Sequence, residues 1–377
     1  MKNFKVFIII TLLFLNFGCS STKKNILQET LALSNPKIKK VMSNPEDFEL
    51  QIIYTQIFRD NNNKVSFKDF TYNLNAENYF YPASTVKLPI AILALEKLNT
   101  IENTSKDTQY SIEGKPEKLR FSEEITKIFA VSDNDASNNL FEFIGSDYLN
   151  DSMKAKGLSP FGVSNRVSVP NAGNPITKPI TLYIDDNTIV NLPAIHNKPS
   201  FPLQLNKLKK GIGFMEDNTL VNEPFDFSIK NYYPLETLHN TMKRIVFPEA
   251  FAASEQFKLT DKDREFILFS MQNLPKNSGY NPTEYYDGYC KFFMFGDTKE
   301  NIPSTIKIYN KVGDAYGTLI DCAYIVDAEN NVEFMVSATL LVNKDGIFND
   351  DSYEYDAIGF PFLAELGRQL YAKNLKK

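Results

Sequence analysis

The strand-like segments of this chain lie at its two ends, and that arrangement limits the folds open to it. Residues 49–58 (ELQIIYTQIF) and 66–80 alternate apolar and polar side chains on either side of the turn-rich Asp60–Asn63, the pattern of a hairpin. Near the other end, Ile306–Tyr309, Leu319–Val326 and Val332–Leu341 read as three more strands, the last two joined by a turn at 327–331. Between the two groups the spacing is helical over most of 84–160, 234–246 and 260–274. The last of these opens on Thr260 and Asp263 as a capping box. A final apolar helical stretch runs from Ile358 to Tyr371. Strands from both ends can share one antiparallel sheet only if the helical middle is set aside as an insertion. The expected fold class is therefore α+β, with an antiparallel sheet flanked by N- and C-terminal helices and an inserted all-α domain. Residues 176–231 fit neither period. They read as an insertion, serving either as a specificity element or as a decorated surface loop.

The length of 377 residues allows one large domain or two modest ones. Lys2 and Lys5 precede an apolar core, Val6 to Leu15, and then Asn16-Phe17-Gly18-Cys19. This reads as a lipoprotein-type signal peptide over 1–18 that would leave Cys19 lipidated, although Asn16 and Phe17 depart from the usual lipobox. The apolar run is short for a membrane span. Residues 19–48 then read as an anchor linker with a short helix. Loss of residues 1–18 removes two lysines and no acid, which takes the net charge from −5 to −7. An acidic chain whose basic runs are as short as Lys207-Leu208-Lys209-Lys210 is a poor partner for nucleic acid. Beyond Cys19 only Cys290 and Cys322 remain, which could pair but do not make a disulfide framework. With two histidines, His196 and His239, and no ligand cluster around either, no metal or other cofactor is expected. The same scarcity disfavours a Ser-His-Asp triad and favours a serine activated by lysine.

Three short motifs supply such a site: Ser84-Thr85-Val86-Lys87, Ser132-Asp133-Asn134 and Lys311-Val312-Gly313. Ser-x-x-Lys alone selects nothing, because it also begins at Ser20, Ser21, Ser34 and Ser304. Only Ser84 opens a strong helical run, Val86 to Leu98, where a serine and a lysine three apart share a face. An N-cap role for Ser84 is the plainer alternative. Likewise, Ser-Asp-Asn taken alone would be a polar turn between helices.

Taken in this order, the three motifs resemble those of the class A β-lactamase-like serine hydrolases, in the β-lactamase and penicillin-binding protein superfamily. The resemblance covers roughly residues 49–372, with a gap over 165–231. It implies an α/β half (49–83 and 304–377), a mainly helical half (84–303) and a site in the cleft between them. It further implies Ser84 as the nucleophile, Lys87 as its base and Ser132 as the proton relay. Asn134 would hold Lys87 and the substrate amide, and Lys311 would offer positive charge to an anionic substrate. Gly313 would let that substrate approach the strand edge. The oxyanion hole would be the backbone N–H groups of Ser84 and Asp314.

Three features depart from the family pattern. Val312 stands where Ser or Thr is usual, and no arginine occurs between Arg264 and Arg368. The glutamate that activates the deacylating water has only weak candidates, Glu216 in Glu216-Asp217-Asn218 and Glu223, both readable as surface acids on an inserted loop. The expectation is an exported, envelope-anchored serine hydrolase acting on a small-molecule or peptide amide or ester, such as cell-wall peptide. A β-lactamase and a non-catalytic binding lipoprotein on the same fold are the alternatives.

Overall fold

A computed structural model describes residues 24–375; the expected signal segment and Cys19 lie outside the described residues. Five strands form one antiparallel sheet: β1 Gln51–Arg59, β2 Val65–Tyr72, β3 Ile306–Ala315, β4 Thr318–Asp327 and β5 Val332–Leu341. Their order across the sheet is β3-β4-β5-β1-β2, so the two chain ends meet at the β5–β1 pairing, where Ile53 faces Ser337. Local chemistry sets each turn. The Asp60 carboxylate accepts the backbone N–H of Asn62 and of Lys64, closing β1 onto β2. Between β3 and β4 only Tyr316 and Gly317 remain, at φ of 52° and 71°, the left-handed pair that a tight hairpin requires. A side chain at Gly317 would also press on Asn343 Cβ at 2.9 Å.

Strands β4 and β5 are buried on both faces, and successive residues point to opposite cores. Leu319, Ala323 and Ile325 pack with Phe334 and Val336 beneath α9, Phe360–Leu375. Two short helices, α1 Ile26–Leu31 and α2 Pro36–Met42, complete that layer, where the sequence suggested one. Ile320, Cys322 and Tyr324 face the other way, into the larger core of the inserted region. That core is built on α3 Lys87–Leu98, apolar nearly all round, which is the mark of a central helix. Around it stand α4 Phe121–Ala130, α5 Asn134–Ile144 and α6 Ser146–Ala155, with α7 Leu235–Val246 and α8 Asp261–Gln272. Thr260 caps α8 by accepting the N–H of Asp263. The inserted region is not purely helical. A four-stranded sheet combines 109–112 and 119–120 with 180–183 and 189–192, and smaller ribbons occupy 209–226. No helix among the described residues is long and apolar enough to cross a membrane.

His239, on α7, is 1 % exposed and serves the fold. Thr55 Oγ1 lies 2.6 Å from Asp69 and 2.7 Å from His239 Nε2. The hydroxyl has one proton and the carboxylate takes it, so Nε2 carries the hydrogen and donates to Thr55, while Nδ1 accepts from Ser337 at 2.7 Å. Burial, reinforced by the charge of Lys243, holds the imidazole well below its usual 6.5. The unfolded chain therefore binds a proton below about pH 6.5 that the native chain refuses, and stability drains as pH falls through that range. Thermal melts between pH 7 and 5 should show a shallower fall in Tm for His239→Asn than for the native chain. Equal slopes would contradict the assignment.

Candidate active site

The chain enters the site through a strained corner. Ala83 sits at φ 45° directly before Ser84, and Ser132 sits at φ 57°. Non-glycine residues rarely occupy this region, at a cost of about 1–3 kcal/mol each, and such strain tends to collect at functional sites. After Ala83 a single 3₁₀ turn, Ala83–Val86, leads into α3. Ser84 is therefore not the N-cap of α3: that place belongs to Val86, which makes no side-chain cap, and it is Thr85 that bonds back to the Pro82 carbonyl at 2.5 Å. The Ser84 hydroxyl is left without a partner among the described residues and is half-buried at the cleft wall.

Lys87, fully buried, lies one turn further on. Its ammonium nitrogen donates to Asn134 Oδ1 at 2.6 Å and to the carbonyl of Ser132, and stands 3.5 Å from Ser132 Oγ. Lys311 reaches the same hydroxyl from β3, at 2.8 Å, and also donates to the Val312 carbonyl. Two lysines from distant parts of the chain thus converge on Ser132 Oγ. Ser132-Asp133-Asn134 is the tight link between α4 and α5, and the Asp133 carboxylate caps α5 by accepting the N–H of Ala136 at 2.8 Å. Turn and site are therefore the same piece of structure.

Burial, with the charge of Lys311 added to it, drives the Lys87 pKa well below 10.5, in the direction that favours the free amine. Lys311 is brought down to about 8, again chiefly by burial, so it remains mostly charged at pH 7. The Asp314 carboxylate is open to the cleft yet hemmed in by its walls. That crowding raises its pKa, against the pull of the two lysines.

The structure assigns Gly313 a role other than substrate approach. A Cβ there would lie 3.0 Å from the Ser84 nitrogen, 3.1 Å from Ala83 Cβ and 3.1 Å from the Pro82 carbonyl oxygen. The bare glycine is what allows β3 to press against the turn that carries Ser84. It also brings the backbone of Ser84 and the start of Asp314 to one edge, where two N–H groups could face one oxygen. Lys311 differs from expectation too: it is 2 % exposed, held by Ser132 and Val312, and absent from the cleft wall.

Glu216 is not brought to the site. It ends a short strand, Gly213–Glu216, and Asp217-Asn218 at φ 45° and 61° turns the chain back, leaving it exposed on a surface hairpin. Glu223 is exposed as well, and no glutamate lines the cleft among the described residues. His196 is exposed and His239 buried elsewhere, so neither reaches the serine. Cys290 and Cys322 are both buried free thiols, and the pairing left open by the sequence is not made. What residue patterns missed is the far wall of the cleft. Tyr285, Tyr286, Tyr289 and Phe292 line it, joined by Tyr353, Tyr355 and Phe360 from the chain's end, around a volume of about 780 Å³. The density of tyrosine over 285–289 was the available signal, readable equally as core or as interface.

Residues 35–181 match the family described as the beta-lactamase enzyme family, which is less than half of the chain. Among solved structures, a class A beta-lactamase from Bacteroides cellulosilyticus DSM 14838 aligns at TM-score 0.53 and 12 % identity, over 94 % of this chain and 100 % of that one. PBP-A aligns at TM-score 0.51 and 14 % identity, over 93 % and 96 %. A beta-lactamase from Sphaerobacter thermophilus DSM 20745 gives 0.50 and 12 %, over 91 % and 94 %. At these identities the likeness is one of fold. A comparison with curated protein sequences returned no match.

Proposed function

Taking as premise that the chain has its place in the β-lactamase and penicillin-binding protein superfamily, we propose that it is a serine hydrolase working by acyl transfer through Ser84. The observation that carries this reading is the meeting of Lys87 and Lys311 on Ser132 Oγ, beside an unpartnered Ser84 hydroxyl. Neutral Lys87 takes the proton of Ser84 as its oxygen attacks the substrate carbonyl carbon. The resulting oxyanion is held by the N–H groups of Ser84 and Asp314. Ser132 passes a proton to the leaving nitrogen or oxygen, drawing on the lysine beside it, and the carbon–heteroatom bond breaks to leave acyl-Ser84. Water then attacks the ester, with Lys87 as the base at hand, and the acid departs. No glutamate lines the cleft to assist that second half, so release is expected to be the slow step.

The substrate class this supports is an amide or ester, such as cell-wall peptide. β-Lactams would acylate the serine but clear slowly. Export, with a lipid on Cys19 holding the chain to the envelope, belongs to the same reading and is supported by the Lys2, Lys5 and Val6–Leu15 pattern. The direct test is 4-nitrophenyl acetate followed by peptide mapping. One acetyl group should appear, on Ser84, and none on the Ser84→Ala protein. Acetylation elsewhere alone would sink the proposal.

A further inference from the structure

The cleft is built for a charge opposite to the one expected of it. Among the described residues its lining includes three carboxylates, Asp133, Asp314 and Asp351, and no lysine or arginine. Asp133 is engaged as the cap of α5, but neither Asp314 nor Asp351 has a hydrogen bond or ion pair among the described residues. The two lysines of the site lie under the surface, and the Lys311 ammonium is already committed to Ser132 and Val312. A substrate carboxylate entering here would meet two acids that form no ion pair and, among the described residues, no cation at the cleft surface.

The walls are aromatic, and their rings pack against one another at steep angles. Tyr285 and Tyr289 stand edge to face at 4.9 Å, Tyr81 and Tyr316 do the same at 5.0 Å, and Tyr353 tilts against Tyr355 at 5.4 Å. The last pair is fixed in place: Tyr355 accepts the N–H of Gly317 and Tyr353 that of Asn349. Asp314, one residue beyond Gly313, lines the same cleft as Tyr289 and Tyr355. Unpaired carboxylates between tyrosine faces are the surroundings that favour an alkylammonium group over an anion or a neutral chain.

We propose that this cleft selects acyl substrates that carry an ammonium group on the acyl chain, bound by Asp314 and Asp351 between the tyrosine walls. The proposal rests on the acyl-transfer reading only for where the scissile carbonyl sits. The same feature gives Asp314 a purpose: a substrate cation neutralises a carboxylate that would otherwise repel the nearby oxyanion.

Three matched probes decide it: the 4-nitrophenyl esters of 6-(trimethylammonio)hexanoic acid, of hexanoic acid, and of adipic acid as the monoester. The ammonium ester should acylate Ser84 about tenfold faster than the neutral one and about a hundredfold faster than the anionic one. Asp314→Asn and, separately, the exposed-site change Asp351→Asn should each narrow those ratios. Equal rates, or a lead for the adipate ester, would overturn the proposal. If no ester acylates Ser84, the acyl-transfer reading fails, and calorimetry on the Ser84→Ala protein still decides the recognition. Binding of benzyltrimethylammonium without binding of phenylacetate would support it, and any other pattern would overturn it.

Discussion

Replacing Lys87 with methionine is expected to slow acylation of Ser84 by about 10³-fold or more while leaving the protein folded. The magnitude follows from general-base catalysis, which contributes about 10²–10⁴-fold, at a serine to which the proposed mechanism assigns Lys87 as base. The stability side follows from burial. Lys87 is 0 % exposed, and methionine matches its length without an amine to desolvate. Against that gain stand the Asn134 Oδ1 and Ser132 carbonyl that lose a donor, a loss of about 1–3 kcal/mol. The two effects oppose, so Tm should move by only a few degrees while the rate collapses. Measured together by stopped-flow acylation and thermal melting, they separate catalysis from folding. A Lys87→Met protein acylated at the native rate would move the base elsewhere.

Gly313→Ala is the second large effect, and it acts through backbone. The new methyl would meet the Ser84 nitrogen and the Pro82 oxygen, atoms that cannot rotate aside, at 3.0 and 3.1 Å. Either β3 withdraws or the 3₁₀ turn shifts, and each separates the N–H groups of Ser84 and Asp314 from a common oxygen. Loss of one oxyanion donor typically costs about 10²–10³-fold, so acylation should fall about 10²-fold. Overpacking should also cost about 1–3 kcal/mol in stability, read as a lowered denaturation midpoint. A Gly313→Ala protein of native rate would show that β3 has slack against the turn.

Much of this arrangement was legible in the residues because it depends on local rules. Period-two alternation marked the end strands, and their placement at the two ends required a shared sheet. The spacing of Ser84 and Lys87 before an apolar run marked a turn entering a central helix. The order of the three motifs pointed to residues that the structure gathers from α3, the α4–α5 link and β3. Other features depend on packing, which a single sequence does not display. Asp217-Asn218 looks like any acidic, polar pair, yet its left-handed turn sends Glu216 to the surface. Gly313 looks like an opening for substrate, until β3 is seen resting on Ser84. Ala83 gives no hint of the strain it carries, because alanine is imposed there by its neighbours. The tyrosine walls join residues 285–289 to 353–355, segments that meet only once the C-terminal helix closes on the sheet.

The central claim is a serine that is acylated readily and released slowly, and intact-protein mass spectrometry over time with 4-nitrophenyl hexanoate, a neutral acyl donor, tests it most directly. The account predicts a single adduct, absent from Ser84→Ala, that persists for many minutes because no glutamate among the described residues lines the cleft to activate water. An adduct that forms and vanishes within seconds would contradict the missing base. No adduct at any time, or one that Ser84→Ala retains, would contradict the nucleophile itself.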